Sequence, residues 1–243
     1  SRERLDVVFF QEHNIKRRAV PQMVGRARRK GFRMDISCSV SRHQRGGTAI
    51  ATRINLISVD SIVTSAEKNN EDGRICAVDC SIGDKKVGLA SAYGPVDPSK
   101  RKEFIEKASK ILNKDTICGG DWNWVPDETW DQEGPDTNHQ NAHATAGEAM
   151  IQKAGLVDVF RLLHGPKKRE YTRISGTVSR RLDRIYAPKY NSLWRWTVVK
   201  ANHEIFRNME EGKSDHLSVT AEVECATDRP ASKAERKINP KIL

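Results

Sequence analysis

Apolar positions along the chain fall mostly in short runs with β-forming residues, and only here and there in the 3.6-residue rhythm of a helix. Leu5 to Phe10 is too short for a helix and reads as a buried strand, which delivers Gln11-Glu12-His13 at its tip. A basic segment from Lys16 to Lys30 follows, predicted helical despite Pro21. Phe32 to Val40 and Gly47 to Ala51 read as strands joined by a basic loop, Ser41 to Gly46. Asn55 to Val63, Arg74 to Ile82 and Lys86 to Tyr93 continue the series, with Asn70-Glu71-Asp72-Gly73 and Gly83-Asp84 as turns.

The clearest helix is Ser99 to Leu112, with Phe104, Ile105, Ala108, Ile111 and Leu112 on one face and Ser99 as its N-cap. A short strand, Asp115 to Cys118, then runs into Gly119-Gly120-Asp121. A long polar loop precedes a second helix, Ala144 to Ala154. Strand candidates in the last third are Glu170 to Ile174, Leu182 to Tyr186, Trp194 to Ala201 and Leu217 to Val223. Many strands, interspersed helices and hairpin-like spacings predict an α/β fold, two mixed sheets packed as a sandwich and flanked by helices. One domain over residues 1–225 and a basic linker or tail over 226–243 are expected.

Composition narrows the partners. The 243 residues suffice for one large core, and no apolar run approaches the roughly 20 residues that span a bilayer. Five cysteines form no C-x-x-C pair, which points to a reduced compartment without disulfides or zinc. A net charge of +10 favours a polyanionic partner, because cations set against phosphates release condensed counterions. The expectation is a soluble intracellular protein with no membrane partner.

Polar groups recur at the ends of the apolar runs: Gln11-Glu12, Tyr93-Gly94-Pro95, Gly119-Gly120-Asp121-Trp122-Asn123, Leu182-Asp183-Arg184 and Ser214-Asp215-His216. Each alone reads as a solvated strand end, a turn or a buried ion pair. Together they are a set that a rigid sheet can hold along one edge, rich in the hard oxygen donors that suit Mg²⁺.

In this order over Gln11 to His216, the series resembles the exonuclease–endonuclease–phosphatase superfamily, which includes DNase I-like nucleases and AP endonucleases. Gly-Asp-Trp-Asn-Trp-Val, Arg-Arg-Leu-Asp-Arg-Ile-Tyr and the Ser-Asp-His ending look most like the endonuclease domains of non-LTR retrotransposons. The resemblance implies a DNase I-like four-layer α/β sandwich and a Mg²⁺-dependent endonuclease, with Mn²⁺ as an alternative ion. Glu12 would be the main metal ligand, with Asp215 beside the metal or the nucleophile. Asp121 would orient and deprotonate the attacking water, and Asn123 would fix its geometry. His216 would donate to a phosphate oxygen, Asp183 would hold His216 protonated, and Tyr93 would contact the phosphate. It also implies an opening strand ahead of Leu5 bearing an Asn near the metal. Ser1 to Arg4 contain no Asn, so the chain is expected to begin inside the domain.

The implied partner is double-stranded chromosomal DNA, nicked in the nucleus to leave a 3′-hydroxyl for a fused reverse transcriptase. Arg173, Thr177, Arg180 and Arg181 are groove or backbone candidates, because a loop there probes DNA in the resembled enzymes. Arg17, Arg18, Arg26, Arg28 and Arg29, with Arg42 and Arg45, are further phosphate candidates, though a solvated face is an equal reading of each. Trp122 and Trp124 are expected in the core. The rival readings are an AP endonuclease and a non-catalytic DNA-binding remnant.

Overall fold

The computed structural model describes residues 5–39, 46–54, 58–61, 72–82, 85–134, 141–190, 194–202 and 215–225. In chain order these form β1 (Val7–Gln11), α1 (Val20–Arg29), β2 (Phe32–Ser37), β3 (Thr48–Arg53), β4 (Ser58–Ser61), β5 (Ile75–Ile82) and β6 (Lys85–Tyr93). Next come α2 (Arg101–Ile111), β7 (Thr116–Asp121), α3 (Glu128–Asp131), β8 (Gln132–Glu133), α4 (Ala144–Lys153), β9 (Leu156–Asp158) and α5 (Val159–His164). The rest is β10 (Arg173–Ser175), β11 (Val178–Arg180), β12 (Asp183–Pro188), β13 (Trp194–Asn202) and β14 (Ser218–Cys225).

A six-stranded sheet ordered β4-β5-β6-β7-β12-β9 is the spine of the molecule, mixed because β6 and β7 run parallel and its other pairs antiparallel. Strand periodicity divides its side chains between two cores. Ile75, Ala77, Ala90, Ala92 and Cys118 face α2 and α4, joined by Phe104, Ala108, Met150 and Ile151. The alternate residues Cys76, Val78, Cys80, Val87, Leu89 and Ile117 face Ile50 of β3 and Val199 of β13. Helices α2 and α4 thus cover one face, and the pieces β1-β3-β2 and β13-β14, with α5, cover the other. This is the expected sandwich. A third small sheet, β10-β11-β8, sits apart from both layers.

Local chemistry explains several boundaries. The glycines before Asp121 are steric necessities: a Cβ on Gly119 would lie 2.5 Å from the Phe9 ring of β1, and one on Gly120 would meet the Ala92 carbonyl of β6. Close approach of the second layer to β7 therefore requires Gly119, and the fit of β7 against the β6 backbone requires Gly120. Ser99 is not the cap of α2. It lies in a 3₁₀ turn (Pro98–Lys100) whose cap is Asp97, which accepts from the Ser99 backbone N–H at 3.0 Å. The α2 face holds one more member than the apolar pattern gave: Arg101, 1% exposed, in the same stripe as Phe104, Ala108 and Ile111. Among the described residues β1 pairs only with β3, and the strand expected ahead of Leu5 lies outside them, as does 226–243. Cys38, Cys76, Cys80 and Cys118 are free thiols.

Candidate active site

Three adjacent strands set the site in one row. Tyr93 at the end of β6 is level with Asp121 at the end of β7, and Asp121 is level with Asp183 at the start of β12. One oxygen or ring nitrogen from each of Asp121, Asp183 and His216 lies within 4.8 Å of the others. The second layer is tied to this row at β1. Gln11 Nε2 donates to Ser91 Oγ (2.9 Å), Ser91 Oγ donates to the Phe10 carbonyl (2.9 Å), and the Tyr93 hydroxyl donates to Glu12. Four of the five polar sequence segments thus meet at one sheet edge, and of the fifth, Asp215-His216 joins them.

The backbone there is constrained. Glu12 has φ +50° and Asn123 φ +54°. Asn accepts the left-handed region at small cost, but a Glu there is an outlier of the kind that clusters at functional sites. Asn123 caps Asp121: its backbone N–H donates to Oδ1 (3.0 Å) and its Nδ2 to Oδ2 (3.1 Å) and to the Gly94 carbonyl (2.9 Å). The amide oxygen Oδ1 is left without a partner among the described residues.

Protonation follows from this crowding. Burial, then the Asp183 charge, pushes the Asp121 carboxyl up to about 7, against the opposing pull of His216 and of the Asn123 N–H. Burial would lower the His216 imidazole, but its 2.9 Å bond to Asp183, the Asp183 charge and then the Asp121 charge outweigh it and raise it to about 9. At neutral pH His216 is an imidazolium aimed among carboxylates. The Tyr93 hydroxyl is pushed well up, by burial first and then by Glu12, and stays protonated.

These donors fit a divalent cation. Glu12, Asp121 and Asp183 supply carboxylates and Asn123 a free amide oxygen, all hard ligands. Burial first and the Asp183 charge second raise the Asp121 pKa, and a bound cation would act against both. Asp215 stands differently: its side chain is half-exposed and holds Arg173 Nε at 2.7 Å, and that ion pair keeps its carboxyl below the usual range although partial burial works the other way.

The structure separates the cationic candidates. Arg181 is buried, with Nε 2.5 Å from Asp131 and Nη1 2.7 Å from Asp158, so it is committed to the core rather than available to DNA. Arg180 is buried against Gln132 Oε1 (2.9 Å) and is likewise withdrawn. Both follow the exposed hairpin tip at 174–177 and fall in a run, 180–182, that is buried, where a groove or backbone contact would need exposure. Thr177 is exposed at the tip of that hairpin, and Arg173 stands beside the site through Asp215. Arg42 and Arg45 lie outside the described residues. Trp122 and Trp124 are both core residues, packed edge-on at 5.4 Å with the buried Arg184 stacked near their rings.

Arg101 is the supporting residue that the sequence did not disclose. Its buried guanidinium donates to the carbonyls of Pro95 (3.1 Å), Ala142 (2.9 Å) and Asn123 (2.6 Å), pinning the Tyr93-Gly94-Pro95 loop to the Asp121-Trp122-Asn123 loop. The only signal for it was its helical spacing with Phe104 and Ala108, and a basic residue in that stripe reads as its solvent edge.

Comparison with known proteins decides the family, because residues 1–216 match the Endonuclease/Exonuclease/phosphatase family. The chain belongs to it. This enzyme is therefore a metal-dependent phosphodiester hydrolase of the nuclease and phosphatase kind. No curated protein matches the chain. Solved structures share the fold of this family member at low identity. The 3′-5′ exonuclease NExo from Neisseria meningitidis aligns with a TM-score of 0.67 at 18% identity, over 89% of this chain and 88% of its own. The AP endonuclease LMAP from Leishmania major gives 0.66 at 14%, over 89% and 77%. The endonuclease domain of TRAS1, a telomere-specific non-LTR retrotransposon, gives 0.57 at 14%, over 88% and 95%. The described residues of the enzyme contain no helix long and apolar enough to cross a membrane.

Proposed function

We propose that the chain is a Mg²⁺-dependent DNA endonuclease that nicks one strand of a duplex and leaves a 3′-hydroxyl to prime reverse transcription of a non-LTR retrotransposon. The observation that carries the hydrolytic chemistry is the close Asp121–Asp183–His216 cluster with Asn123 capping Asp121. In this reading Asp121, with its pKa near neutrality, takes the proton from water as its oxygen attacks phosphorus. Asn123 holds Asp121 in the rotamer that makes this transfer. His216, kept protonated by Asp183, donates to a non-bridging phosphate oxygen and stabilises the charge that builds there. The bond to O3′ breaks, giving a 3′-hydroxyl and a 5′-phosphate. The Tyr93 hydroxyl gives its one hydrogen to Glu12 and holds that carboxylate at the edge of the site; contact with the phosphate would require it to turn from Glu12. A divalent ion held by Glu12 and neighbouring carboxylates, Mg²⁺ with Mn²⁺ as substitute, would supply polarisation of the phosphate and neutralisation of the leaving oxygen. Asp215 acts on this reading through Arg173, beside the ion rather than as its main ligand.

The retrotransposon role is supported by the Gly-Asp-Trp-Asn-Trp-Val and Ser-Asp-His runs and by the likeness to the TRAS1 endonuclease domain along nearly its whole length. It implies action in the nucleus and a polymerase elsewhere in the same polypeptide. The likeness to an AP endonuclease favours abasic DNA as the rival substrate. Matched duplexes with and without one abasic site, cleaved and then extended by a polymerase, separate the two. Cleavage of the intact duplex at ends that extend supports the nicking role. Cleavage confined to the abasic strand overturns it.

A further inference from the structure

The segment Lys16 to Lys30 carries seven cations, Lys16, Arg17, Arg18, Arg26, Arg28, Arg29 and Lys30, and no carboxylate, against a net charge of +10 for the whole chain. All seven are exposed, and none meets a carboxylate among the described residues. The half-buried Met23, Val24 and Ala27 form one side of α1, so Arg26, Arg28 and Arg29 in its last turn occupy its solvent face, with Lys16, Arg17 and Arg18 in the turn ahead of it and Lys30 at its end. The helix is poorly supported by itself. It has no side-chain N-cap, no acid in its first turn and Gly25 in its middle, and Arg26 sits one turn from Arg29 and Lys30. Helix α2 behaves otherwise: Glu103 and Glu106 interleave with its lysines, and Glu103 pairs with Lys107 at 2.7 Å. A single-sign face is therefore particular to α1.

Its placement gives the face a direction. Gln11 of β1 and Ser37 of β2 both pair with Thr48, so those two strand ends share the edge where Glu12 stands. Four residues on from Glu12, Lys16 begins the cationic segment, and Arg17 lies near enough to bias Cys38 just past the end of β2. The strip then runs back along α1 to Lys30, beside Phe32 at the far end of β2. Ten residues of helix extend about 15 Å, the span of four or five base pairs.

Resting on the nicking reading above, we propose that α1 is a phosphate-backbone dock for the flank of the same duplex, outside the cleaved step. Two groups of cations set at opposite ends of a helix suit an extended polyanion; a small phosphate ligand would need groups that converge. The contact is with phosphates alone, so it adds affinity and no sequence preference.

The test uses the full chain, a ~40-base-pair duplex long enough to reach α1, and the small diester bis(p-nitrophenyl) phosphate as a readout of the site alone. Arg18→Gln/Arg26→Gln/Arg29→Gln is compared with a charge-matched triple on α2, Lys102→Gln/Lys107→Gln/Lys110→Gln. The α1 triple should weaken duplex binding roughly tenfold or more and flatten the log affinity against log salt slope by about 3, since each phosphate contact contributes about 0.9. Turnover of the small diester should be unchanged. Unaltered affinity and slope, or equal losses in both triples, overturns the dock. Failure of the wild type to hydrolyse either substrate is a different result: it sinks the nicking reading, while the binding comparison still reports on α1.

Discussion

Asp121 and Asp183 face each other across the antiparallel β7–β12 register, so two carboxylates occupy one rung at the lip of the central sheet. Asp121 is 6% exposed, and the rung is eased by His216, which stands beside it as a cation, and by Asn123, which donates one hydrogen bond to each Asp121 oxygen. On the proposed mechanism, stability is given up here for a poised proton acceptor.

That trade has a pH signature. The folded-state pKa of Asp121 is raised from 3.8 to about 7, so its ionisation opposes folding. The stabilising proton is fully in place below the unfolded value of 3.8 and is lost as pH rises to about 7. Asp121→Asn should therefore leave the melting temperature unchanged near pH 4 and raise it at pH 8, by about 2–4 °C per kcal/mol relieved. Activity should be abolished at both. A melting series on the two proteins from pH 4 to 8 measures this, and a variant destabilised increasingly towards pH 8 contradicts it.

His216 has the opposite linkage. Its folded pKa of about 9 lies above the reference 6.5, so the Asp183 pairing stabilises the fold fully below 6.5 and is lost as pH rises through 9. Asp183→Asn removes the main partner, and the imidazole midpoint should fall towards 6.5 when followed by NMR. Nicking at pH 8 should drop by about 10²–10⁴ as the donor is lost. A midpoint still near 9 in the variant would show that Asp183 does not hold the proton on His216.

Arg181 separates structural cations from DNA contacts. Truncating it leaves Asp131, fully buried, and Asp158 short of a partner, so Arg181→Ala should cost about 3–5 kcal/mol in urea unfolding. Thr177→Ala, at the exposed tip of the same hairpin, should cost less than about 0.5 kcal/mol. Equal, small losses at both positions would place Arg181 on the surface after all.

The sequence revealed the chemistry of the site better than its supports, and the reason is physical. Glu12, Tyr93, Asp121 and Asp183 each end or begin an apolar run, so a local pattern marks them. Arg101 and Arg181 are read locally as surface residues and Arg184 at most as a partner of Asp183, because what makes them core is a partner remote in sequence: the Asn123 carbonyl, Asp131 or Glu148. The short elements α3, β8, β9 and α5 went unread for a related reason. None is long enough to show a period, and α5 is fixed by a cap, Asp158 accepting from the Phe160 N–H at 3.0 Å, and by Phe160 packing into the second core. The sandwich itself was legible in the many short apolar runs, the helices interspersed among them and the hairpin-like spacings, which together call for mixed sheets covered by helices.

Relaxation of supercoiled plasmid tests the central claim most directly, with Mg²⁺ or EDTA present and with wild type set against His216→Ala. The account predicts conversion to nicked circles by the wild type in Mg²⁺, none in EDTA, and a loss of roughly 10²–10⁴ in rate in the variant with its fold intact by circular dichroism. Equal relaxation by wild type and His216→Ala, or none from a folded wild type in Mg²⁺, would contradict it.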